Sequence, residues 1–187
     1  MSAVLKSIEE EFRRYKAMGE GVIGQLSDEQ LNAPEASGGN SVTVIVWHVA
    51  GNFQSRFSDF LTSDGEKPDR NREGEFAPRT PTREVLLAEW DAGWRTVLDS
   101  LVALDEDHLG HYVRIRGTEV SVLDALQLSL AHASYHVGQM VYRGKALRGA
   151  DWEYLTIPPG VSENYNAGAT PDTAHAHAAR LNRTSKN

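Results

Sequence analysis

The sequence predicts an all-α protein: a four-helix bundle with a long connection between its second and third helices and an irregular C-terminal extension. Four segments carry apolar residues at three- and four-residue steps, and the stretches between them are rich in glycine, proline and charge. No convincing set of strands accompanies them, which favours helix-on-helix packing. We assign residues 1–148 to the bundle and residues 149–187 to the extension, whose end we expect to be mobile.

The first helix is predicted over residues 3–26 and the second from Val42 to about Thr62. The second begins with the β-branched run VTVIVW, which would suit a strand. Its apolar residues nevertheless continue at helical steps as far as Phe60, and this spacing favours a helix. Residues 63–82 combine many charges with prolines and glycines, so they form a long connection of the kind that often carries function.

The third helix is predicted over residues 82–103 and the fourth over residues 121–147. Trp90 and Trp94 lie at bundle spacing on the third helix, and we interpret them as core residues. A short hairpin-like excursion is expected around Tyr112–Val120, before the fourth helix begins.

Composition excludes several functions. The 19 basic and 26 acidic residues give a net charge of −7, which argues against a nucleic-acid partner. No apolar run approaches the ~20 residues that cross a bilayer, and the first residues lack a signal-peptide pattern, so we expect no membrane partner and a cytoplasmic location. Because the chain has no cysteine, thiol chemistry would require a thiol from outside.

Three histidines are candidate metal ligands. His132 and His136 are four residues apart on the fourth helix, so both rings lie on one face, and His48 lies on a matching polar stripe of the second helix. Three neutral imidazoles would hold Zn, Ni, Fe or Mn and leave positions open for water or substrate. The alternative is that these rings are ordinary solvated side chains. Ala133 follows the first histidine, where a zinc protease motif has its glutamate, so that class is excluded.

Other residues on the two stripes are candidate ligand-binding groups. Asn52 lies one turn beyond His48, and Gln139 lies close to His136, so either could line a pocket or orient an imidazole. Arg143 could receive an anionic group at the far end of the pocket. Packing or solvation explains each of them equally well. No catalytic general base is assigned.

The segments WHVAGN at 47–52 and HASYHVGQM at 132–140 make the chain resemble the DinB-like superfamily of four-helix bundles, over about residues 3–148. The segments SRFSDFLTSDGEKPDRNRE and IPPGVSENYN are similar to a DinB-related subgroup of uncharacterised function. The resemblance implies that His48, His132 and His136 bind a divalent metal.

The same resemblance implies a chemistry. Superfamily members include bacillithiol- or mycothiol-dependent S-transferases and a maleylpyruvate isomerase, so it implies a metal-dependent thiol transferase acting on a small electrophile. It also implies a homodimer, and the arginines in and near the connection could recognise an acidic thiol. The alternatives are a metal-dependent hydrolase and a non-catalytic module that dimerises through exposed helix faces such as that of Trp90 and Trp94.

Overall fold

A computed structural model describes residues 2–35, 38–168 and 173–184. Eight α-helices lie within these residues: α1 (Ala3–Gln25), α2 (Asp28–Asn32), α3 (Val42–Phe57), α4 (Arg72–Glu75), α5 (Arg83–Val102), α6 (Val122–Arg148), α7 (Ser162–Ala167) and α8 (Ala174–Thr184). The antiparallel strands β1 (Tyr112–Ile115) and β2 (Thr118–Ser121) form a hairpin directly before α6, with Val113 opposite Val120. The predicted all-α class and the hairpin are confirmed.

Side-chain caps fix where the long helices begin. The hydroxyls of Ser41, Thr82 and Ser121 accept backbone N–H groups from the first turns of α3, α5 and α6. Each cap satisfies a donor that has no partner inside the helix. Ser41 and Thr82 thus cap α3 and α5.

The four long helices α1, α3, α5 and α6 share one hydrophobic core. α1 packs along α6 and α8 and also contacts α5, while α3 packs along α5 and contacts α6. Phe12, Phe53, Trp90 and Trp94 form a chain of edge-on and tilted ring contacts in the middle of this core. Both tryptophans are fully buried, so they are core residues and offer no face to a partner helix.

α3 and α6 run antiparallel. Arg143, in the second half of α6, donates to the carbonyl of Pro34, which precedes α3. At the other end, the N–H of Gly65, after α3, donates to the carbonyl of Arg114 in the hairpin before α6. The first half of α3 therefore lies beside the second half of α6.

The helix predicted from Val42 to about Thr62 is α3, and it ends earlier than predicted, at Phe57. Asp59 adopts a left-handed backbone conformation with φ of 51°, which stops the helix. Phe60 nevertheless stays buried, because the following turn folds back onto the core. The connection that follows contains the short helix α4, which periodicity did not reveal.

The C-terminal extension is more regular than predicted. α8 packs along α1, with Ala178 and Leu181 buried in the core cluster. His177 is buried on the same helix, and its Nε2 donates to the carbonyl of Leu155 at 2.7 Å. The sequence did not predict α7, which has only six residues, or α8, whose apolar residues are mostly alanines. Part of the predicted mobile end, residues 169–172 and 185–187, lies outside the described residues.

No helix in the described part of the chain combines the length and apolar composition that crossing a membrane requires.

Candidate metal centre

The antiparallel packing of α3 and α6 brings the three predicted histidines together. One ring nitrogen from each of His48, His132 and His136 lies within 4.8 Å of the others. Nε2 of His48 is 3.2 Å from Nε2 of His132, and the ring centroids of His48 and His136 are 4.8 Å apart. His48 is buried and the two α6 rings are half-buried, so the cluster lies just below the surface.

A carboxylate from the connection orients His48. Nδ1 of His48 donates to Oε2 of Glu75 at 2.8 Å, and both side chains are 8 % exposed. Arg70 clamps the same carboxylate, with Nε donating to Oε1 at 2.8 Å and Nη2 to Oε2 at 3.0 Å. Gly51 makes room for the carboxylate, since a Cβ there would lie 2.5 Å from Oε1 of Glu75. His48 is therefore held with Nε2 directed away from Glu75, towards His132.

Gln139 orients the ring of His136 in the same way as Glu75 orients that of His48. Its Oε1 accepts a hydrogen bond from Nδ1 of His136 at 2.8 Å, and its Nε2 donates to the hydroxyl of Tyr135 at 3.2 Å. Because Nδ1 carries the proton, Nε2 of His136 keeps its lone pair. Two of the three rings thus have their tautomers set by a partner on the side away from the cluster, as is typical of metal-bound histidines.

The environment keeps the α6 imidazoles neutral. Burial, followed by repulsion from His136 and His48, lowers the pKa of His132 to about 3. Burial also lowers the pKa of His136. Burial alone would raise the pKa of Glu75, but hydrogen bonds from His48 and Arg70 outweigh it and lower that pKa, so the carboxylate is charged. Neutral imidazoles with a charged carboxylate behind one of them are the protonation states that metal binding requires.

The donor set fits a divalent cation of the zinc type. Two nitrogens that bind one tetrahedral zinc ion at 2.0–2.1 Å are about 3.3 Å apart, close to the spacing of the His48 and His132 nitrogens. Nδ1 of His132 is buried and has no hydrogen-bond partner among the described residues. Of the predicted metals, imidazole suits Zn, Ni and Fe, whereas Mn prefers oxygen ligands, which the three rings do not supply.

The remaining predicted site residues have different surroundings. Asn52 is buried on α3, one turn beyond His48. Arg143 donates through Nη2 to the carbonyls of Ala33 and Pro34, so it fastens the segment before α3 to α6. It also lines a cavity of about 500 Å³ that Gln139 shares. Gln139 is therefore the predicted ligand-binding residue that directly contacts the histidine cluster.

Glu75 is a functional candidate that sequence reasoning did not select, and Arg70, one of the arginines of the connection, was considered only as a contact for an acidic thiol. They lie among many other charges in the connection, and no helical spacing relates them to His48. The available signal was Gly51 within WHVAGN, because a glycine on the histidine helix allows close approach of another segment. That signal does not say which residue approaches.

The fold and the cluster define an all-α protein with a candidate three-histidine metal centre. The chain belongs to the family described as "Protein of unknown function (DUF1572)", whose model matches residues 2–161; this family is DinB-like. Neither a curated protein nor a solved structure matches the chain.

Proposed function

We propose that the protein binds one divalent metal ion through His48, His132 and His136 and acts as a metal-dependent thiol S-transferase on a small electrophile. The observation that carries the proposal is the convergence of three ring nitrogens within 4.8 Å, with two of the rings held by partners behind them. The DinB-like family supports a four-helix bundle as the scaffold of this centre.

A bound divalent cation would lower the pKa of a coordinated thiol or water and so supply a nucleophile at neutral pH. The chain's own residues position this chemistry. Glu75 and Gln139 fix the rings of His48 and His136, and Arg70 fixes Glu75. Phe76 covers one face of His48 with its ring centroid 4.8 Å away, which shields that side from water. Because the chain contains no cysteine, the thiol comes from a small molecule.

Metal content tests the proposed centre. The full-length, untagged protein should bind one equivalent of zinc or a similar ion, and His132→Ala should lower the bound metal to background. His175→Ala is the matched control, because this exposed histidine lies on α8. The whole chain is used because α8 packs against α1. Equal metal content in wild type and His132→Ala, measured by elemental analysis after dialysis, would contradict the assignment.

Turnover separates the candidate activities. A panel of low-molecular-weight thiols with a chromogenic electrophile should give conjugation that depends on both metal and thiol. Metal-dependent turnover without thiol would instead show a hydrolase. Stoichiometric metal with no turnover in either assay would show a non-catalytic metal-binding module.

We further propose that the protein works as a homodimer in the cytoplasm, with a small molecule rather than nucleic acid or a membrane as its partner. The dimer rests only on the resemblance to DinB-like proteins, and the net charge of −7 argues against a nucleic-acid partner. Sedimentation equilibrium of the metal-loaded protein should give twice the chain mass of 20.6 kDa.

A further inference from the structure

Arg56 is a half-buried arginine on α3, two turns beyond His48. Its side chain forms neither a hydrogen bond nor an ion pair with any described residue, and its Nε is buried without an acceptor. A buried donor left without a partner is unfavourable, because it has lost its hydrogen bonds to water. A positive charge in the last turn of α3 is favourable because of the helix dipole. The dipole does not explain why the Nε–H of Arg56 has no acceptor.

The surrounding carboxylates are already engaged elsewhere. Asp64 accepts the backbone N–H groups of Glu66, Arg116 and Gly117. Glu66 contacts Arg70 at 3.4 Å and Arg116 at 3.3 Å. Glu75 accepts hydrogen bonds from Arg70 and His48. Arg70, Arg114 and Arg116 nearby each have an ion pair with a carboxylate, and Lys67 donates to backbone carbonyls, whereas Arg56 has neither among the described residues.

Arg56 lies on the histidine side of the molecule. The aliphatic part of the Arg56 side chain packs where α3, the connection and the hairpin meet. A Cβ at Gly65 would be 3.2 Å from Cδ of Arg56 and 3.4 Å from Cγ1 of Ile115. At about 100° per residue, Asn52 lies about 40° and Arg56 about 80° around α3 from His48. Arg56 therefore lies on the half of α3 that carries His48.

Two uncharged polar groups lie between Arg56 and the histidines along the helices. Because α3 and α6 are antiparallel, Asn52, after His48, lies at the level of Ser129, before His132. Both side chains are buried, 7 % and 4 % exposed, and neither forms a hydrogen bond with a described residue. Three polar groups without hydrogen-bond partners therefore lie between the histidines and the end of α3: the amide of Asn52, the hydroxyl of Ser129 and the guanidinium of Arg56.

We propose that this stretch is a subsite for a small organic anion that reaches from the metal centre to Arg56 and places a carboxylate on its guanidinium. The inference rests on the proposed metal-dependent function and adds a substrate class to it. The carboxylate is favoured because its two oxygens match the planar guanidinium fork, as the Arg70 and Glu75 pair shows nearby. Asn52 and Ser129 supply the polar contacts along the ligand.

A chain-length series tests the subsite. The probes are ω-mercaptocarboxylates with two to six carbons and their methyl esters, added to the cobalt-loaded full-length protein. Sulfur binding to cobalt is followed by its charge-transfer absorption. At one chain length the acid should bind at least about tenfold tighter than its ester, since a charge-assisted bidentate pair is lost in the ester.

Variants test whether Arg56 causes the preference for the acid over its ester. Arg56→Gln should abolish it, and Arg56→Lys should retain part of it, because the charge remains without the fork. Arg95→Gln is the control, since Arg95 is exposed on α5 beside a different cavity near Phe60. Equal binding of acid and ester at every length, or an acid preference that survives in Arg56→Gln, overturns the subsite. The second result would mean that the carboxylate simply chelates the metal.

Failure of the metal centre itself gives a different result. If cobalt does not bind, the proposed function fails, and the subsite is then judged on the metal-free protein. There the Nε–H resonance of Arg56, assigned by its loss in Arg56→Gln and Arg56→Lys, should shift when the acids are added and stay fixed with the esters. An unchanged resonance overturns the subsite independently of any metal.

Discussion

At the scale of single residues, the candidate centre depends on side chains behind the histidines as much as on the histidines themselves. An imidazole binds a metal well only if its other nitrogen is protonated and its ring is held in one orientation. Glu75 provides both for His48, and Gln139 provides both for His136. Their positions explain why a cluster just below the surface keeps its rings converged.

Removing the charge behind His48 should weaken metal binding. In Glu75→Gln the amide is a poorer acceptor for Nδ1 of His48, and Arg70 loses its ion pair with this side chain. We expect the metal dissociation constant to rise about 10- to 100-fold, as for partners that support metal ligands elsewhere. Competition with a chromogenic chelator measures this constant.

The control for this prediction lies on the same short helix. Glu73 is 88 % exposed and pairs with Arg72 at the surface, so Glu73→Gln should leave the dissociation constant within about twofold. If the two variants bind metal equally well, Glu75 does not support the centre.

Residue spacing identified the histidines and Gln139 but not Glu75, for a physical reason. His132 and His136 are related by the geometry of one helix, and the stripe around His48 follows from the same periodicity. Glu75 reaches His48 through a fold of the connection that no local rule determines. Gln139 could be anticipated because it lies on the same helix as His136, three residues away.

At the scale of elements, close approach of α3 and α5 positions the histidine helix. Gly93 of α5 lies against Ala50 of α3, and a Cβ added at Gly93 would be 2.6 Å from the Cα of Ala50. Because backbone rather than a flexible side chain is in the way, the helices must separate to accept any larger residue.

Alanine at two glycines should therefore have opposite effects. Gly93→Ala should lower the free energy of unfolding by about 1–3 kcal/mol through overpacking. Gly138→Ala, on α6 with nothing within 4 Å of the added Cβ, should raise it by about 0.5–1 kcal/mol because alanine favours helix. Urea unfolding measures both, and a Gly93→Ala protein as stable as the wild type would show that the helices are not in tight contact.

The long helices were predictable because each buries an apolar stripe, and the short ones were not. α1, α3, α5 and α6 begin within about two residues of their predicted starts, since capping serines and threonines coincide with the onset of periodicity. The end of α3 was misplaced because Phe60 continues the apolar spacing after the helix has stopped. α4 has only four residues, too few for a pattern, and the apolar residues of α8 are mostly alanines, which did not suggest that it packs along α1.

At the scale of the whole molecule, the neutral histidines couple stability to pH. The pKa of His132 is about 3 in the folded protein, against an ordinary value near 6.5 in the unfolded chain. Between these values the unfolded chain binds more protons than the folded one, so stability falls as the pH is lowered from about 6.5 towards 3. The lowered pKa values of His136 and Glu75 act in the same direction, Glu75 at more acidic pH.

We expect the unfolding free energy of the metal-free protein to decrease steadily between pH 6.5 and pH 4. His132→Gln should reduce this slope, because it removes the group with the largest shift. His175→Gln, at the surface of α8, should retain the wild-type slope. Urea titrations at several pH values in the presence of a chelator measure it, and identical slopes for all three proteins would show that His132 is not held neutral by the fold.

The docking of Glu75 against Gly51 has a consequence for the order of folding events. α3 and α5 can pack and bury their apolar stripes before the 25 residues between them are ordered, because fixing those residues costs further conformational entropy. His48 receives its final orientation only when this segment docks. Binding of the proposed metal ion is therefore expected at the last stage of folding, after the hydrophobic core has formed.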